Sequence, residues 1–153
     1  MLFRSFPDHE DMQGPAGHDI ATVISSFMPK RSVAVTSERE FLPIFRDRAR
    51  ERGSELDEVD QVESELFGQD LLDLFPYQEH PRNIALVARV AERLGLDRML
   101  AIATMAEHVV PDLGVLRIYP QVRVHGRQMR FINGMSANER TGCVGNWRRT
   151  GCD

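Results

Sequence analysis

"SVAVTSEREFLPIFRDRARERGSELDE", residues 32–58, is the stretch that decides the fold class. Val33 to Thr36 form a β-branched run of strand character, and Ser37 stands behind them where a helix N-cap belongs. From Glu38 to Arg52 the residues Phe41, Leu42, Phe45 and Ala49 fall on one helical face, with Arg and Glu on the other. Gly53 is placed to end that helix. "SELDEVD" then reads as a second strand with an acidic face. A strand feeding a helix that returns to a strand points to an α/β order.

Working outward, residues 1–15 contain Pro7, Gly14 and Pro15 without sustained periodicity and read as a loop. Ile20, Val23, Ile24 and Phe27 then recur at helical spacing until Pro29. On the other side, residues 61–75 mix acids and leucines around Gly68 and predict a short helix or irregular connection. After Pro81 a stripe of Ile84, Val87, Ala88, Ala91 and Leu94 predicts a helix closed by Gly95, and Asp97 caps another running to about His108. Val122–Val124 and Met129–Ile132 read as a hairpin around His125-Gly126-Arg127. The last fifteen residues hold three glycines and little pattern.

At 153 residues the chain has the size of one domain, with 42% hydrophobic and 27% charged residues, an ordinary globular composition. The net charge of -4 leaves no overall basic footprint, which argues against nucleic acid as a partner, and the Arg148-Arg149 pair does not change that balance. No apolar run approaches the roughly 20 residues a bilayer span requires. Cys143 and Cys152 match no zinc spacing, and without a signal peptide they are expected as reduced thiols in the cytoplasm.

Four clusters bear polar chemistry. Asp8, His9 and Asp11 in "PDHEDMQG" combine oxygen ligands with an imidazole, which suits Mg²⁺ or Mn²⁺; the same residues equally make a solvated turn, the commoner outcome for so short a motif. His80 and Asn83 in "YQEHPRN" lie at a helix entrance, where they suit a purine edge or simple capping. Arg117 in "PDLGVLRIY" suits a phosphate or carboxylate, or is a surface charge. Asn138 ends "FINGMSAN", either a ligand-facing strand end or a polar turn. No phosphate loop, nucleophile elbow, H-E-x-x-H or C-x-x-C pattern is present.

The order of these clusters carries a resemblance. "PDHEDMQGP" resembles the D-H-x-D-x-M-G-P segment of the Mur ligase family, and "SSFMPKRSVAVTSE" its T-I-P-K stretch and following strand. "EHPRNIALVARVAERLGLDR" is similar to E-H-x-x-N-x-A-L-A with G-[IV]-D-R, "PDLGVLRIY" to P-D-P-G-x-x-R, and "FINGMSANE" to F-V-N-G-F-A-A-N-D. "GNWRR" stands where the poly-γ-glutamate synthase branch, concerned with capsule synthesis, has a tryptophan-containing helix. The resemblance covers about residues 3–148.

What it implies is a Rossmann-like α/β carboxyl-terminal domain at residues 31–153, incomplete, preceded at 1–30 by the end of a central ATPase domain. It implies ATP-dependent amide ligation through an acyl phosphate, with Mg²⁺ and ATP as cofactors. Glutamate and γ-polyglutamate would be substrates, and membrane-bound synthase components further partners of a cytoplasmic protein peripheral to the membrane. By the same resemblance His9 would ligate Mg²⁺ with Asp8 and Asp11 shaping its loop, His80 and Asn83 would flank adenine, Arg117 would approach phosphate or substrate carboxylate, and Asn138 would line the nucleotide side. Four departures bear on this. The family's phosphate loop is absent from the sequence, Glu139-Arg140 replace the usual D-P after Asn138, the glycine-rich ending lacks the final strands of the family's domain, and Leu113 stands where this branch has a proline. The expectation is a chain truncated at both ends and inactive alone, with a non-catalytic binding or assembly module as the alternative.

Overall fold

The structure, a computed structural model, describes residues 2–3, 14, 17–137 and 140–152. It is a mixed α/β chain with small sheets, and it divides into two compact units, residues 1–67 with 81–102 and residues 68–80 with 103–153.

The first unit is built on three parallel strands in the order β1 (Leu2–Phe3), β2 (Val33–Thr36) and β3 (Glu55–Glu58). Val33 lies opposite Glu55 and Thr36 opposite Glu58. Ala34, Val35 and Thr36 are buried, as a strand in a covered parallel sheet requires. The crossover from β2 to β3 is α2 (Leu42–Arg52), which packs beside α1 (Gly17–Ser26). Their shared core joins Ala21, Met28, Ala34, Phe45 and Ala49, with Ile24, Phe41, Ile44 and Leu56 at its margin. Three alanines let the elements approach closely around the fully buried Phe45 ring.

Both helices depart from the sequence reading at one end. Helix α2 begins at Leu42, not Glu38, and Ser37 does not cap it. Pro43 has no N–H and is tolerated only in a first turn, so the helix cannot start much earlier. The intervening turn is held by Glu38, whose Oε1 accepts from the backbone N–H groups of Arg39, Glu40 and Phe41 at 2.9, 3.0 and 3.3 Å. In α1 the stripe misplaces Phe27, which is 66% exposed; the helix ends at Ser26 and the following turn, Met28 N–H to Ser25 C=O, brings Met28 inward instead.

The edge of the sheet at β3 is clamped by α5 (Pro81–Arg93). Ile84, Ala85, Leu86, Ala88 and Ala91 are buried, and the helix packs on β2 and on α3 (Gln61–Glu65). Arg89 and Arg93, one turn apart on α5, both donate to Asp57 of β3; the Arg89 Nη1 to Oδ1 distance is 2.8 Å. Arg89 also pairs with Glu63 of α3, and Arg93 with Glu55. The acidic face of β3 is therefore an ion-paired face, with Asp57 only 6% exposed. Burial pulls the Arg89 guanidinium down, but Glu63, Asp57 and Glu92 together outweigh it and hold the group above its ordinary value. Leu94 lies past the helix end and is exposed.

Helix α3 starts with a reciprocal cap. Asp60 Oδ1 accepts from Glu63 N–H at 2.8 Å, and Glu63 Oε2 accepts from Asp60 N–H at 3.3 Å. Asp60→Ala should cost about 1 kcal/mol, read as a lower urea midpoint. A midpoint matching the parent chain would show that Arg89 alone positions this helix.

The second unit holds α4 (Gln69–Leu72), the end of α6 (Arg98–His108), which crosses from the first unit, and α7 (Arg140–Arg149). Asp97 caps α6 as its sequence predicts, accepting from Leu100 N–H at 2.8 Å. Strand β4 (Arg117–Ile118) pairs antiparallel with β7 (Ile132–Asn133), and β5 (Val122–Val124) with β6 (Arg127–Met129). The hairpin turn is His125-Gly126, with φ of 49° and 78°. A two-residue turn with both central φ positive matches the strand twist, so Arg127 already faces Val124 across the ladder. The expected second arm at Met129–Ile132 thus begins two residues earlier, and Ile132 joins a different pair.

Candidate functional site

Within the second unit α7 forms one wall of an open cleft of about 380 Å³. Cys143, Asn146 with Trp147, and Thr150 recur at helical spacing and so share one face of the helix, and all four line the cleft. The helix ends in a left-handed turn: Gly151, φ 62°, donates to Arg148 C=O at 3.2 Å, and Cys152 donates to Trp147 C=O at 3.3 Å. That closure brings Cys152 back to the cleft wall. Opposite lie Leu116 and Ile132, giving an apolar floor, and Gly134, where a Cβ would meet Asn146 Nδ2 at 3.2 Å. Arg130 supplies the cation.

The segment that supplies the cleft is rich in arginine and partly aromatic, within a unit whose seven arginines are matched by seven carboxylates. Between residues 113 and 152 the chain has seven arginines (117, 123, 127, 130, 140, 148 and 149) and one acidic residue, Glu139, in a chain whose total charge is -4. All seven arginines are exposed. In the first unit Arg46, Arg48, Arg50, Arg89, Arg93 and Arg98 are ion-paired, whereas no carboxylate among the described residues forms an ion pair with Arg117, Arg123, Arg127 or Arg130. The Arg117 guanidinium lies 5.2 Å from the Tyr119 ring centroid, and the Tyr119 ring meets that of Phe131 at 5.4 Å with a 43° tilt. In the same unit burial, with help from Glu79, pushes the Tyr77 hydroxyl up to about 12, so it stays a neutral donor.

Among the residues singled out in the sequence, Arg117 is exposed on β4 and does not line the cleft. His80 and Asn83 are half-buried at the start of α5 and fall to different units. Asp8, His9, Asp11 and Asn138 lie outside the described residues. Among the described residues no three His, Cys, Asp or Glu side chains are grouped to hold a metal ion. No described helix is long and apolar enough to cross a membrane.

The sequence reading missed the cleft. Gly142 and Gly145 hide the helical pattern of α7, although Cys143, Asn146, Trp147 and Thr150 carried it. It also missed the arginine surface, because the acidic remainder of the chain conceals it in the total charge.

The geometry defines an α/β chain whose second unit carries an open cleft lined by Arg130, Trp147 and two cysteines. Over 142 residues, 93% of its length, the chain is 29% identical to PGA synthase CapB of Bacillus subtilis (strain 168) and 30% identical to the capsule biosynthesis protein CapB of Bacillus anthracis. These alignments cover 35% and 30% of the two relatives, so the chain spans about a third of their length. No family model matches the chain, and no solved structure matches it with significance.

Proposed function

We propose that this chain is part of an ATP-dependent amide ligase of poly-γ-glutamate synthesis, in which a carboxylate is activated as an acyl phosphate and attacked by the amine of glutamate. The observation that carries this reading is the similarity to the two CapB proteins along 93% of the chain. Residues 1–30 are assigned to the end of an ATPase domain and 31–153 to the domain that follows it. ATP would supply the phosphoryl group and Mg²⁺ would screen its charge. His9, with Asp8 and Asp11, is assigned to the cation; His80, Asn83 and Asn138 to the nucleotide; and Arg117 to a phosphate or the substrate carboxylate. Its guanidinium is exposed and forms no ion pair among the described carboxylates, so an incoming anion has no internal partner to displace. Partners would include other synthase components, with the chain in the cytoplasm.

A second reading is a non-catalytic binding or assembly module. These 153 residues hold no G-x-x-x-x-G-K-[ST] pattern and align with about a third of either relative, so both readings leave the phosphate loop to sequence outside them. The two separate in one assay. The 153-residue polypeptide with ATP, Mg²⁺ and glutamate should release no phosphate, and adding a polypeptide that carries the phosphate loop should restore ATP-dependent amide formation. Phosphate release by the short chain alone would show that it is no partial module. Failure of the combined chains to form amide while remaining bound to each other would leave the assembly reading.

A further inference from the structure

We infer that the cleft of the second unit, with Arg130 in its wall and the arginines of the hairpin that precedes Arg130 in the chain, forms a holding site for a carboxylate polymer, separate from the residues assigned to the ligation chemistry. The polymer in question is the growing γ-linked glutamate chain, so the inference rests on the function proposed above. Its support lies in the match between surface and polymer. Each γ-linked residue presents a free carboxylate, an amide and two methylenes. Arg130 at the cleft, with Arg123 and Arg127 exposed on the adjoining hairpin, offers planar forks that pair with carboxylates through two hydrogen bonds. Asn146 offers its amide donor, its Oδ1 already accepting from Arg149 Nη2 at 2.8 Å. The apolar floor and the 59% exposed Trp147 ring offer contact for the methylenes.

Charge decides the polarity of the occupant. An exposed guanidinium with a carboxylate already on it gains little from a second, but these arginines form no ion pair with a described carboxylate. The second unit as a whole is balanced, with seven arginines against seven carboxylates, so the attraction is local to Arg130 in the cleft wall and to the exposed arginines of the hairpin. A nucleic acid would share the charge but not the aliphatic repeat.

The experiment is fluorescence anisotropy of end-labelled poly-γ-glutamate with the full 153-residue chain, without ATP. Binding is expected at low salt, with steep weakening as NaCl is raised. The triple variant Arg123→Ala, Arg127→Ala, Arg130→Ala should weaken it by about tenfold or more, while Arg48→Ala in the first unit should leave it unchanged. Cys143, exposed at the cleft wall, gives an independent readout: saturating polymer should slow its alkylation. Circular dichroism of each variant checks that the fold is retained. Absence of binding by the folded parent chain would overturn the inference, as would equal binding by the triple variant or unprotected Cys143. Tighter binding of a single-stranded oligonucleotide of equal charge would overturn it in favour of a nucleic-acid surface. Polymer binding without restored ligation would sink the proposed function and keep the holding site; ligation without polymer binding would do the reverse.

Discussion

Phe45→Ala is expected to lower the folding free energy by about 3–5 kcal/mol, the usual range for deleting a fully buried aromatic ring. Phe45 has no solvent exposure, and its core neighbours Ala21, Ala34 and Ala49 have no side-chain length with which to fill the space it would leave. Met28 is the exception, since a flexible thioether can swing into part of the cavity and hold the cost near the lower end. Because a domain of this kind is stable by roughly 5–15 kcal/mol, the change takes a large share of the total. Urea unfolding followed by far-ultraviolet circular dichroism measures it. Phe45→Leu, which keeps most of the volume, should cost about 1 kcal/mol. An alanine variant losing no more than the leucine variant would show that the surrounding helices collapse onto the site.

Asp57→Ala should be nearly as damaging, at about 2–4 kcal/mol. The carboxylate is 6% exposed and receives both Arg89 and Arg93, so its removal takes from two guanidinium groups the acceptor they share. The cost is held below that of a wholly buried pair because the arginines keep Glu63 and Glu55 as partners and have side-chain exposures of 25% and 39%. Truncating both partners, Asp57→Ala with Arg89→Ala, should cost less than the sum of the single changes. Strict additivity in that cycle would mean the ion pair contributes no coupling of its own.

Much of the first unit is legible in the chain because its signals are local. The β-branched run Val33–Thr36 gives β2 its observed limits, and Asp97 and His108 bracket α6 as the sequence indicates. Where the sequence misleads, a competing local rule is at work. Pro43 delays α2, Met28 displaces Phe27 from the core, and a two-residue turn advances the hairpin register. The second unit is less legible for a different reason. Its cleft takes Leu116, Ile132 and Gly134 from segments far apart in the chain and the rest from a helix whose spacing two glycines obscure. Of the residues assigned to chemistry, Arg117, His80 and Asn83 have described positions, but what joins them to a reaction is their order along the chain.

The two oxygens of Glu63 are divided between elements, one accepting from the amide that opens α3 and the other from Arg89, 26 residues later in the chain. A helix of five residues cannot persist in water on its own hydrogen bonds. Residues 61–65 therefore have no separate folding equilibrium: their backbone is closed to solvent exchange only while α5 is seated. The protection of these few amides is thus a readout of a distant helix, and any event that lifts α5 from the sheet edge is registered first at Glu63.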